Sequence, residues 1–418
     1  MLKELSVNFG NVLLSCSTAI DLADESIADH QIRVAFIAWQ LAKASQISPD
    51  RVEQIFIGAL LHDVGALTSD EKEAIHSFEL EDMNAHSIRG ANLLYSSPLL
   101  REASSMVRFH HRPWSKCDTD ITIHNTFAAQ ILYLADYLER SVDRKKYILH
   151  QNKDIAEKIV SMKGKEIHPD IVELLKAISA KESFWLDMMS PRLYDILSTF
   201  GPFRNLMIDT NSMFSIAPFF RNLVDFRSRF TATHSSGVSE CAAMISQYFG
   251  FTKHECSLMD LAGCFHDIGK LAVPNSILEK PGKLTGEEFA VIRKHTYYSY
   301  VVLSTIGGLE EMAEWAAFHH EKLDGTGYPF HVGRDKLSTL SRIMAVADTF
   351  TALSEDRPYR EGMNKTEMEN IFLGMVKRNA LDERITKILF KNYDEIALSV
   401  KCKQAIARDE FERIALLH

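Results

Sequence analysis

Two halves of this chain carry the same ordered series of histidines and aspartates, and that duplication constrains the fold more than any other feature. In the first half the series runs His30, His62–Asp63 within LLHDVG, His86, His110–His111 within FHH, and Asp136 within LAD. In the second it runs His234, His266–Asp267 within CFHDIG, His295, His319–His320 within FHH, and Asp348 within VAD. The step from the first His to the HD pair is 32 residues in both halves, and from the isolated His to the HH pair it is 24 in both. The other two steps, 24 against 29 and 26 against 29, differ by amounts that short loop insertions supply. A repeat with one order and near-equal spacing makes the chain a duplicated domain.

The pattern around these residues is helical. His30, Val34, Ile37 and Leu41 recur at helical spacing, as do Phe230, His234, Val238, Cys241 and Ile245, while alternating β-branched runs are almost absent. Helix starts (SPDRVEQIF, TGEEFAVI) and Gly/Pro-rich loops (EKPGKLTG, DGTGYP) punctuate the segments. An all-α protein of two tandem helical domains is expected, the first over residues 1–190 and the second over 225–418. Residues 191–224, where Pro191, Gly201, Pro202 and Pro218 interrupt the pattern, read as a connector.

The direction of the side chains turns a histidine pattern into chemistry. His30 and His234 lie in line with apolar stripes, and His319 shares a helix face with Met312, Trp315 and Ala316, so all three should face the core. Burying several imidazoles and carboxylates without partners costs kilocalories for each. A divalent cation removes that cost, because neutral imidazole and ionised carboxylate are its natural ligands. One buried hydrogen-bonded network could explain one half. Two networks matching in order and spacing favour metal.

Composition narrows the partners. The formal net charge of −9 argues against broad DNA, RNA or anionic-membrane binding, while a local cationic or metal-filled pocket would still admit a small anion. The six cysteines are scattered without a CxxC pair, as in reduced cytoplasmic proteins. No apolar run approaches the roughly 18–20 residues that cross a bilayer. The LLSCS segment near the start lacks the basic and long apolar regions of a leader, so a cytoplasmic location is expected.

With these residues in place, residues from about 225 to 375 resemble an HD-GYP domain. The resemblance rests on HDIGK at 266–270, His295, HHEKLDGTGYP at 319–329 and ADTFTALSEDRPYR at 347–360, in that order. Residues from about 20 to 190 resemble a plain HD domain, and the tandem is similar to bacterial HD/HD-GYP phosphodiesterases, including those acting on 3′3′-cyclic GMP-AMP. The resemblance implies an all-helical domain with a centre of divalent iron or manganese that cleaves a cyclic dinucleotide, 3′3′-cyclic GMP-AMP or cyclic di-GMP, to a linear product. It implies one metal on His234, His266 and Asp348 and another on His295, His319 and His320, with Asp267 bridging. A water acidified between the cations would attack phosphorus in line, and Lys270 would add positive charge there. It further implies substrate contacts from the loop Gly325, Gly327, Tyr328 and Pro329, and from the guanidinium groups of Arg357 and Arg360.

The chain departs from the family in places. Three-metal members carry a Glu one turn before the first His, where this chain has Phe230, so two metals are expected. Ser299 stands where Gly is frequent four residues after the isolated His, a change expected to adjust helix packing only. In the first half all seven ligand positions recur, and His86 is followed by Gly90. Ala66 replaces the Lys270 equivalent, RPWSK replaces the GYP loop, and VDRKKY replaces RPYR. That half is expected to be catalytically degenerate; metal occupancy, a regulatory role and a homodimer are left open by the sequence. His168 reads as a cap or surface residue. Competing readings are a cyclic dinucleotide receptor that signals without cleavage and an HD-type hydrolase of other nucleotides.

Overall fold

A computed structural model of the chain describes residues 5–22, 28–66, 68–77, 84–117, 124–226, 233–356 and 361–416. Helices dominate, as the 3.6-residue periodicity predicts; the strands among the described residues are Ser6–Asn8 and Met207–Asp209, three residues each. Among the described residues no helix is long and apolar enough to cross a membrane. All six cysteines are free thiols.

The chain divides into two compact units, Asn8–Ile208 and Asp209–Leu416, the segment before Asn8 belonging to the latter. Residues 191–224 therefore do not stand apart as a connector. The helix Leu193–Phe200 packs within the first unit, burying Leu193 and Leu197 against Phe9–Asp21 and His30–Ala44. The helix Thr210–Asp225 packs within the second, against Lys253–Phe265. Pro218 lies inside that helix and does not end it. A proline there removes one backbone hydrogen bond, but the buried face of Met213, Ile216, Phe219 and Phe220 outweighs the loss.

In the first unit the helices His30–Ala44, Pro49–Leu60, Asn84–Tyr95, Arg101–Arg108 and His124–Arg140 surround the core. Pro49 occupies the first turn of its helix, where a missing N–H is harmless. His168 caps Pro169–Ser179: its Nδ1 accepts from the Asp170 N–H at 3.1 Å.

In the second unit the helix His234–Phe249 is central, packed on Lys253–Phe265, Thr339–Ser354 and Tyr393–Leu416. Its neighbours begin where their sequences say they should. Thr252 with Glu255 and Thr285 with Glu288 form reciprocal capping boxes at Lys253–Phe265 and Gly286–Ser304, and Ser338 caps Thr339–Ser354. Those fixed starts set the phase of each helix, and with it the direction of His295 and Asp348.

Candidate metal centre

The HD pair lies where the helix Lys253–Phe265 gives way to the tight turn Ile268–Ala272. Helix ends leave backbone carbonyls without partners, and His266 uses this: its Nδ1–H donates to the Gly263 carbonyl at 2.7 Å. His295 donates to the Ile292 carbonyl within its own helix and His319 to the Ala316 carbonyl near a helix end, each at 2.6 Å. A carbonyl only accepts, so Nδ1 carries the proton in all three rings and Nε2 presents a lone pair to the interior. This is the orientation that a hydrogen bond to the far ring nitrogen imposes on metal-binding histidines. His234 turns its Nδ1 to Glu355 Oε2 at 3.0 Å and its Nε2 to Asp348 Oδ1 at 3.1 Å.

The lone pairs converge on Asp267. Its Oδ2 lies 3.2 Å from His266 Nε2, and its Oδ1 lies 3.5 Å from His295 Nε2 and 3.9 Å from His319 Nε2. The ligand atoms of His234, His266 and Asp348 lie within 4.8 Å of one another, and so do those of His295, His319 and His320. The structure thus brings all seven sequence-selected residues together, in two groups of three with one carboxylate between them. Lys270 Nζ stands 2.5 Å from Asp267 Oδ2.

The donor set fits divalent cations. His295 Nε2 and His319 Nε2 face each other at 3.3 Å, and His266 Nε2 is buried without a hydrogen-bond partner among the described residues. Burial pushes His295 down to about 3 and lowers His319 and His320, so these rings are neutral. Burial alone would raise Asp267, but His266 and Lys270 hold its carboxyl well below the usual range. Burial opposes charge on His234 as well, yet the Glu355 carboxylate and Asp348 push it up to about 10. The neutral rings of His295, His319 and His320 beside the ionised Asp267 are what a transition-metal ion takes, and His234 would release its ring proton on binding one.

One side of the cluster is open. The His320 side chain is 33% exposed and that of Asp348 12%, while His266 is fully buried. The GYP loop lies on that side: the Tyr328 ring sits 5.0 Å from the His320 ring, and Tyr328 N donates to the His320 carbonyl at 3.3 Å. Gly327 is required there, because a Cβ would come 2.4 Å from Glu321 Cα and 2.5 Å from Lys322 N, which are backbone atoms. Arg357, Arg360 and Phe230, selected from the sequence, lie outside the described residues.

The first unit assembles its own seven residues. Asp63 Oδ2 lies 3.3 Å from His62 Nε2, its Oδ1 lies 3.4 Å from His86 Nε2, and His110, His111, His30 and Asp136 complete the cluster.

Several contributors escaped the sequence reading. Glu355 holds His234, and Glu139 holds His30 Nδ1 at 2.6 Å. Their offsets from the preceding Asp differ, three residues after Asp136 and seven after Asp348, so the repeat could not expose them. Glu321 is buried and accepts from the N–H groups of Phe330, His331 and Val332, fixing the exit of the GYP loop; its place directly after the HH pair was the available signal. Ser299 does more than adjust packing. Its hydroxyl accepts from Gly269 N at 2.9 Å and donates to the His266 carbonyl at 2.7 Å, tying the HD turn to the helix that carries His295.

Comparison with known proteins agrees with this architecture. Models of the HD domain match residues 27–141 and residues 218–385. The chain is 30% identical over 401 residues to the 3′3′-cGAMP-specific phosphodiesterase 1 of Vibrio cholerae, covering 93% of both chains. It is 38% identical over 154 residues to the cyclic di-GMP phosphodiesterase PA4108 of Pseudomonas aeruginosa, covering 35% of this chain and 36% of the relative. The crystal structure of a cyclic GMP-AMP-specific phosphodiesterase from Vibrio cholerae has the same fold, with a TM-score of 0.63 at 20% identity over 95% of this chain and 98% of that one. The chain belongs to the family of tandem HD-domain phosphodiesterases that includes the 3′3′-cGAMP-specific phosphodiesterase 1 of Vibrio cholerae.

Proposed function

We propose that the chain hydrolyses a cyclic dinucleotide to its linear form at the centre of the second unit, with 3′3′-cyclic GMP-AMP as substrate and two iron or manganese ions as cofactors. The observation that carries the reading is Asp267, whose two oxygens face the two triads His234/His266/Asp348 and His295/His319/His320. Cations held there would supply a water acidic enough to be deprotonated near neutral pH and would neutralise phosphate oxygens. Residues of the chain do the rest. Asp267 stays ionised, so it can serve both triads. Lys270, 20% exposed beside it, offers positive charge to a phosphate entering from the open side. Tyr328 stands at that opening against His320 and gives a nucleobase or ribose an aromatic face.

The choice of substrate rests on coverage. The relative named for 3′3′-cGAMP matches across both units, whereas the cyclic di-GMP relative matches over 35% of the chain. Incubating the metal-loaded protein with 3′3′-cyclic GMP-AMP, cyclic di-GMP and a nucleoside triphosphate, followed by chromatography, tests the proposal. Linear GMP-AMP dinucleotide as the fastest-forming product supports it. Binding of 3′3′-cyclic GMP-AMP with no cleavage in either metal would make the chain a receptor instead.

A further inference from the structure

The first unit repeats not only the residues of the second but the distances around its central aspartate. Asp63 Oδ2 to His62 Nε2 is 3.3 Å where Asp267 to His266 is 3.2 Å. Asp63 Oδ1 to His86 Nε2 is 3.4 Å where Asp267 to His295 is 3.5 Å. Asp63 Oδ1 to His110 Nε2 is 3.8 Å where Asp267 to His319 is 3.9 Å. Two of the three orienting hydrogen bonds recur as well: His62 Nδ1–H donates to the Ala59 carbonyl at 2.9 Å and His110 Nδ1–H to the Val107 carbonyl at 2.6 Å, whereas His86 Nδ1 has no partner among the described residues. His30 Nδ1 meets Glu139 Oε2 at 2.6 Å.

A network without metal does not satisfy these groups. His30 Nε2 faces His62 Nε2 at 3.3 Å, and His86 Nε2 faces His111 Nε2 at 3.1 Å. A proton placed in each contact satisfies both rings of the pair, one donating and the other accepting. Asp63 Oδ1, Asp136 Oδ1 and His110 Nε2 then remain buried with no hydrogen-bond partner among the described residues. Each such atom costs about 1–3 kcal/mol. Apart from His111, whose side chain is 7% exposed, these residues are 0–2% exposed, and their lone pairs point into one interior space.

Access is where the two clusters differ. The His111 side chain is 7% exposed and Asp136 1%, against 33% and 12% for His320 and Asp348. Arg140 lies across Asp136, with Nη2 3.1 Å from Oδ2 and its side chain 5% exposed; Ala352 holds the matching place in the second copy. His76 packs its ring 4.1 Å from that of His30. Ala66 replaces the ammonium that would meet a phosphate.

We infer that the first unit holds its own pair of divalent transition-metal ions in a centre closed to substrate, so that the chain carries two metal centres and one of them turns over. Imidazole and carboxylate donors in this ratio suit iron, manganese or zinc. The closed centre holds the ends of five helical segments together through its ligands, in the manner of a structural metal site. The inference does not rest on the proposed reaction, since it is read from metal content.

The test leaves the first unit untouched. The Asp267→Asn/His319→Ala double variant removes ligands from the second unit only. After gel filtration, elemental analysis should find about four metal equivalents in the unaltered chain and about two in this variant. The variant should form no linear dinucleotide. Adding Asp63→Asn should lose the remaining two equivalents. Metal falling to zero in the double variant overturns the inference whether or not the unaltered chain cleaves its substrate. Cleavage by the double variant while it holds two ions would overturn the closed state. Should Asp63→Asn prevent folding, the metal count of the double variant still decides.

Discussion

Replacing Gly269 by alanine should dismantle the second-unit centre without touching a ligand. A Cβ added at this position would arrive 1.9 Å from the His295 carbonyl oxygen and 2.5 Å from Ser299 N. Both are backbone atoms of the helix Gly286–Ser304, so no side chain can swing aside. Ordinary contact begins near 3.4 Å, so turn and helix must separate by about 1.5 Å. That movement carries His295 away from Asp267, while metal–ligand distances tolerate only about 0.2 Å. It also breaks both hydrogen bonds of Ser299. We expect metal on the His295/His319/His320 side to be lost, turnover to fall by about a hundredfold or more, and stability to drop by about 1–3 kcal/mol. Gly286→Ala is the control, since a Cβ there meets nothing within 4 Å. Elemental analysis, product chromatography and thermal denaturation read the three effects. Full metal content and unchanged turnover in Gly269→Ala would refute the idea that close packing of the HD turn on this helix sets the geometry of the centre.

Further outcomes follow from individual contacts. Glu355→Gln, which weakens the hold on His234 Nδ1, should lower metal affinity about 10–100-fold in a competitive chelator titration, with the thermal transition of the metal-free protein little changed. Lys270→Met should keep the metal and lower kcat about 10²–10³-fold; unchanged kcat removes Lys270 from the chemistry. In the metal-free chain His295 stays neutral to about pH 3, whereas in the unfolded chain it protonates near 6.5. Its contribution to stability is therefore complete above pH 6.5 and is lost as the pH falls toward 3, by up to about 5 kcal/mol. Denaturant melts of the metal-free proteins should accordingly show wild type losing stability relative to His295→Gln between pH 7 and pH 4; a constant difference contradicts the assignment.

The residues legible in the sequence are those that repetition marks. His234, His266, Asp267, His295, His319, His320 and Asp348 recur at near-fixed spacing in the first half, and both sets converge. The helical class followed from periodicity, and the TGEEFAVI start placed the helix that Thr285 caps. What escaped depends on contacts distant in sequence or on packing. Glu355 and Glu139 reach equivalent ring nitrogens from different offsets, so no repeat marks them. Arg140, one turn after Asp136, was visible, but its closing of the first cluster depends on a side-chain direction. Pro218 misled because a breaker residue was weighed without the apolar face that overrides it.

Asp267 is proposed to join two cations into one hydrolytic centre. The most direct test of this role is the side-by-side measurement of metal content and 3′3′-cyclic GMP-AMP cleavage in the unaltered chain and in Asp267→Asn. The variant should lose the metal of the second unit and form no linear dinucleotide. Cleavage by Asp267→Asn at an undiminished rate would contradict it.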